Sequence, residues 1–293
     1  MPGIPADKRG FATKPALAVT LIDRAVAAKV PAAWVAGDEV YGADPRLRAT
    51  IRGHDLGYVL AVAANRRVPT HAGPIRVDEL PALIPAHAWR KHSAGAGAHG
   101  PRLYSWTWFR LLAEDDTDTG VHHLLIRRND TTGEHAYLRC YSPRPVPLRT
   151  LVAVAGQRWR FEESFQAAKG LTGLDQHQVR RWRSWHRWTT LAMLAHAFLA
   201  VATAIERDTT ATPAGLIALT VNEFRRLRNP AGLVTMATTT PIPSTPFPLQ
   251  TARTPMLPIY GCSIRTRPVG FWIADGLTCG FPGFSALVGA LNG

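Results

Sequence analysis

The segment between Trp34 and Ala63 most constrains the fold. Trp34-Val35-Ala36 is a short apolar run that stops at Gly37-Asp38. Asp44-Pro45 then starts a helix ending near Gly53, with Asp44 capping free N–H groups and Pro45 suiting the first turn. Tyr58-Val59-Leu60-Ala61-Val62-Ala63 is a second apolar run. Strand, helix and strand at this spacing point to a parallel βαβ unit and an α/β fold. Asp38 is then expected at the carboxyl end of its strand, where open α/β sheets place their chemistry. Upstream, Thr13-Lys14-Pro15 opens a helix expected to reach about Ala28, with Leu17, Leu21, Ile22 and Val26 on one side.

With 293 residues, 46% of them hydrophobic, the chain can fill one large domain or two small ones. We divide it at 1–64 (the βαβ part), 65–147, 148–228 and 229–293. The second segment is β-rich. Trp106, Trp108, the run 121–127 and the run 135–140 read as antiparallel strands, and Asn129-Asp130-Thr131-Thr132-Gly133 as a turn. Residues 92–100 read as a loose loop. His122-His123 lies on a strand, so one ring is expected to point inward. Pro143, Pro145 and Pro147 make a stiff linker. Long helices are expected over 148–169 and 183–206. The apolar run from Leu191 to Ile205 contains His196 and is short for a bilayer, so it reads as a buried helix. Trp182, Trp185 and Trp188 recur at helical spacing and read as core. After Asn229 the chain turns rich in Pro and Thr, and its end is apolar and glycine-rich, an ending to which the pattern assigns no role.

The formal net charge is +13, which makes a polyanion the natural partner, nucleic acid first. Arg alternates with Trp from Arg180 to Trp188, a mixture suited to phosphates, bases and buried surface alike. Cys140, Cys262 and Cys279 are far apart, which argues against structural zinc and a disulfide framework and fits a reducing cytoplasm. No signal core, Walker loop or dinucleotide fingerprint occurs.

The chemistry concentrates in Arg158-Trp159-Arg160-Phe161-Glu162-Glu163-Ser164-Phe165-Gln166-Ala167-Ala168-Lys169. At about 100° per residue, a helix puts Arg158, Glu162 and Lys169 in one stripe, while Phe161, Phe165 and Ala168 can face a core. A carboxylate held between two cations suits metal-assisted phosphodiester chemistry. Plainer roles stand beside this one: Asp38 as a turn or cap residue, Glu162 as a surface ion-pair partner of Arg158, and Lys169 as a partner of the helix C-terminus.

One Asp at a strand end and one Glu on a later helix, separated by a β-rich insertion, resemble the bacterial insertion-sequence transposases of the Asp-Asp-Glu type. Arg158, Glu162 and Lys169 fit the Tyr-x2-Arg-x3-Glu-x6-Lys signature of one group of them, with Ala155 at the Tyr position. The segment from Gly37 to Gly42 resembles the surroundings of the family's second Asp, and that from Gly173 to Arg180 the stretch after its Glu helix. The resemblance implies an RNase H-like core, split by the insertion and followed by long helices. It implies DNA strand cleavage and strand transfer at transposon ends in the cytoplasm, at the nucleoid, by two Mg²⁺ (or Mn²⁺) ions. Asp38 and Glu162 would be ligands; Arg158, Lys169, Arg180 and Arg181 would contact DNA. By family analogy, a homodimer would synapse two ends on double-stranded DNA, with no membrane involved.

The family's first Asp lies on a strand for which nothing before Thr13 provides. The core is thus expected to be incomplete, lacking its first strands, with an apolar sheet edge uncovered and catalysis weak or absent. A non-catalytic DNA-binding remnant is the alternative, and an unrelated basic α/β enzyme a third.

Overall fold

A computed structural model describes residues 3–6, 9–97, 100–114, 118–178, 180–210, 218–228 and 270–273. The chain divides into two compact units, one of Pro5–Ser164 with Thr266–Gly293, the other of Met1–Ile4 with Phe165–Arg265.

The first unit starts with helix α1 (Lys14–Ala27), capped by Thr13, whose hydroxyl accepts the Ala16 N–H. Its buried stripe is Pro15, Ala18, Ile22 and Ala25, so Ile22 is as expected while smaller residues take the rest of the face. Strand β1 (Trp34–Gly37) leads through α2 (Glu39–Gly42) and α3 (Pro45–Gly53) to β2 (Gly57–Val62). β1 and β2 pair in parallel, with Trp34 opposite Gly57. Asp44 caps α3 through the Leu47 N–H at 2.8 Å. Val35, Leu47, Ile51, Tyr58 and Leu60 form the core between helices and strands.

After a two-stranded ribbon, β3 (Arg67–Thr70) with β4 (Gly73–Arg76), four strands follow: β5 (Arg90–Gly97), β6 (Gly100–Arg110), β7 (Val121–Arg128) and β8 (His135–Ser142). They form an antiparallel meander, and β8 pairs antiparallel with β2. The β-rich segment therefore extends the sheet of the βαβ unit instead of building its own. A last strand, β9 (Gly270–Ile273), lies parallel to β1 on its other side and completes the order β5-β6-β7-β8-β2-β1-β9. β9 thus covers the outer edge of β1. The mixed α/β architecture agrees with the RNase H-like expectation.

Two local expectations fail. Residues 92–97 belong to β5, not to a loose loop; their weak strand propensity is overridden by pairing with β6, and the ladder slips between Ser93 and Ala96, where Gly95 has φ +116°. Both rings of the His122-His123 pair are buried, because both faces of β7 are covered. His122 meets Asp118 at 2.6 Å, and His123 stacks on Trp108 with centroids 4.4 Å apart. Desolvation pulls the His123 ring down to about 4.

Helix α4 (Leu148–Thr172) begins in the first unit and ends in the second. The second unit continues with α5 (Trp182–Thr209) and α6 (Val221–Arg228). Thr220 and Glu223 cap α6 reciprocally, each accepting the other's backbone N–H, and Phe224 is buried. The run from Leu191 to Ile205 is helical as expected but is not buried: Leu191, Leu194, Phe198, Val201 and Ile205 are 46–70% exposed. Trp188, expected in the core, is 39% exposed. By length and composition α5 is the one described helix long and apolar enough to cross a bilayer. The apolar ending from Leu277 to Gly293 lies outside the described residues.

Candidate functional site

Asp38 follows the last residue of β1, at the carboxyl end of the parallel pair. Its Oδ1 accepts the Glu39 N–H at 2.6 Å and thereby caps α2. The turn is tight because α2 lies down on β2: a Cβ on Gly42 would stand 1.9 Å from the Ala61 carbonyl oxygen. The small residue at 42 thus sets how closely the Asp38 turn folds back over the sheet.

Glu162 stands on α4, whose first half buries Leu151, Val152, Val154, Ala155 and Phe161. Ala155 holds the place of the signature tyrosine, and its position is 6% exposed. The docking of α4 depends on Gly156, where a Cβ would stand 1.8 Å from the Ala94 carbonyl oxygen of β5. One turn on, Trp159 stacks on Tyr104 of β6 at 6.0 Å, and the guanidiniums of Arg102 and Arg127 lie 5.1 and 5.3 Å from its ring. Arg102 also pairs with Glu163, so this neighbour of Glu162 is turned to the sheet. Glu162 itself is half exposed and pairs with Arg158 at 3.2 Å. Gly156→Ala is expected to destabilise the first unit by about 1–3 kcal/mol, since backbone must move away from backbone. Thermal unfolding followed by tryptophan fluorescence checks this; an unchanged midpoint would count against the close approach.

The structure thus keeps Asp38 and Glu162 in one unit, each with its own partner, the Glu39 N–H and Arg158. Lys169 lies in the last turns of α4. Arg180 and Arg181 are exposed just before α5. A pair of Mg²⁺ ions needs a set of carboxylates around it. Among the described residues, no group of three or more His, Cys, Asp or Glu side chains is gathered for a metal. Asp38 and Glu162 each hold one partner through a single carboxylate oxygen, which leaves the second oxygen of each acid available to a cation.

A cluster that the sequence did not announce is tied to the Asp38 turn through Gly42. Glu114 accepts from Arg48 Nε, Arg52 and Arg139, each at 2.7 Å. Arg52 Nε also meets Asp118 at 2.9 Å, and Asp118 meets His122. Arg48 donates in addition to the Gly42 carbonyl at 2.6 Å, which ties the cluster to α2 just after Asp38. Burial alone would raise the Glu114 carboxyl, but Arg139, Arg48 and Arg52 together outweigh it and hold the group below the usual range. Burial pushes the Tyr58 phenol well above its ordinary value, and among the described residues its hydroxyl has no hydrogen-bond partner. No motif spacing could have found the cluster, because its members come from α3, β8 and the β6–β7 connection.

Residues 1–81 match the family described as DDE superfamily endonuclease. The segment contains α1, β1, the Asp38 turn, α3 and β2. No curated protein matches the chain.

Proposed function

From a chain whose residues 1–81 are similar to the DDE superfamily endonucleases, we propose a transposase-type protein that acts on DNA and is impaired in strand cleavage. The observation that carries this is Asp38, set at the carboxyl end of β1 inside the matched segment. In this reading Asp38 and Glu162 are the acids of the cleavage site. Arg158 keeps a positive charge beside Glu162 and contacts the phosphate backbone. Lys169, Arg180 and Arg181, in the other unit, also contact transposon-end or target duplex. In this reading two carboxylates serve where a two-ion site calls for a larger set, so cleavage is slow. The protein works in the cytoplasm on nucleoid DNA, an assignment supported by its net charge of +13. The same shortfall of acids favours a second reading, DNA binding with no cleavage at all.

Supercoiled plasmid with Mg²⁺ or Mn²⁺ separates the two. Impaired catalysis predicts trace nicking at high protein, abolished by Glu162→Gln with DNA affinity unchanged. A complete lack of nicking selects binding alone. Nicking that survives Glu162→Gln removes that residue from the site.

A further inference from the structure

Helix α5 is inside out. Its buried stripe is Thr189, Ala192, Met193, His196 and Thr203, whereas its exposed stripe is Leu191, Leu194, Phe198, Val201 and Ile205. The larger apolar side chains thus face away from the core of their own unit. Contiguous apolar surface of this kind marks an interaction site. Between Trp188 and Leu199 the helix also borders a groove of about 800 Å³, closed on one side by Leu171 and Thr172 of α4.

The spacing of the exposed residues identifies the occupant. They succeed one another by steps of three, four, three and four, the repeat that keeps a seam in register with a second helix. The positions flanking the seam are Ala195, Ala197, Ala202 and Ala204, which let a second backbone approach closely and present no charge to repel it. From Trp188 to Ile205 there is no Asp, Glu, Lys or Arg. Charge returns only at the ends, as Arg183 and Arg187 at the start of the helix and Glu206, Arg207 and Asp208 at its close, where Arg207 donates to the Leu219 carbonyl and the two acids leave the turn net negative. A parallel copy would set like charges side by side. An antiparallel copy sets the basic turn of each helix along the acidic turn of the other, with the helix dipoles opposed. A lipid-spanning helix would be apolar all round, unlike one carrying Thr189, His196 and Thr203 on its other side.

We propose that the exposed face of α5 is a dimerisation seam that takes the same face of a second copy of this chain, antiparallel. The interface is isologous and closes at two copies. It rests on α5 alone and stands whether or not the chain cleaves DNA.

Sedimentation of the full chain across concentration tests it. The wild type is expected to run as a dimer. Leu194→Lys with Phe198→Lys, both at exposed positions, should raise the dissociation constant by about a hundredfold or more, with the far-ultraviolet circular dichroism unchanged. Charge reversal at one end (Arg183→Glu with Arg187→Glu) should weaken the dimer, and adding Glu206→Arg with Asp208→Arg should restore it. A monomeric wild type overturns the proposal. So does a dimer indifferent to both sets of variants, and so does a monomer that floats with phosphatidylcholine vesicles unless Phe198 is changed. Restoration failing in the four-residue variant overturns the antiparallel arrangement.

Discussion

Glu114→Ala is expected to lower the stability of the sheet-bearing unit by about 3–5 kcal/mol, the usual loss when one partner is removed from a buried charge network. The reason is the charge left behind. Arg48, Arg52 and Arg139 converge on this one carboxylate, and the Arg48, Arg52 and Arg139 side chains are only 7%, 10% and 9% exposed. Without Glu114, three desolvated guanidiniums repel one another beside Asp118, which pairs with Arg52 and is shared with His122. Reduced packing is the smaller effect, since a glutamate stem buries little apolar area. Glu114→Gln keeps the shape and some acceptor capacity yet still removes the charge, so most of the destabilisation should persist. Acid should reproduce the effect. The folded carboxyl lies below its ordinary value of 4.5, so its contribution is present above that pH and fades as pH falls through the lower folded value. Urea unfolding of wild type and Glu114→Gln from pH 7 downward would check both points. The two proteins should converge in acid; a constant gap would mean that Glu114 acts through packing.

Affinity for duplex DNA is expected to drop roughly a thousandfold between 50 and 200 mM salt, as for a protein that neutralises about six phosphates. The charge is available: Arg158 and Arg160 are exposed in one unit, and Arg180 and Arg181 in the other. Replacing Arg180 and Arg181 with alanine should flatten the slope of log affinity against log salt by about 0.9 for each phosphate no longer neutralised. Base sequence should matter little to that change, because an arginine on a phosphate positions the duplex without reading it. Fluorescence anisotropy with a labelled duplex at several salt concentrations measures the slope. A slope near zero for the wild type would remove nucleic acid as the partner of these arginines.

The elements with local signals were legible. Thr13 and Asp44 announced their helices because a cap acts on the next three residues. The β1–α3–β2 unit followed from apolar runs bounded by Gly and Asp. The turn after Asn129 followed from its composition, and Asn129 indeed accepts the Thr131 N–H. Tertiary facts were not legible. Residues 92–97 pair as a strand only because β6 lies beside them. His122 and His123 could both be buried only because the sheet is covered on both faces. In the candidate site, Asp38 and Glu162 stood out by position and spacing, while Gly42 and Gly156 looked like ordinary small residues until the backbones they admit were in place. The exposed seam of α5 was read as core because periodicity tells which residues share a face, never which way that face looks.

The carbonyl of Ala94 under Gly156 makes the β-rich segment the bearing on which the acid-carrying helix turns. Trimming that segment would therefore drop α4 from its mount, and grafting α4 onto another scaffold would require transplanting the hairpin of β5 and β6 with it. Engineers and evolution face the same constraint: these pieces travel together.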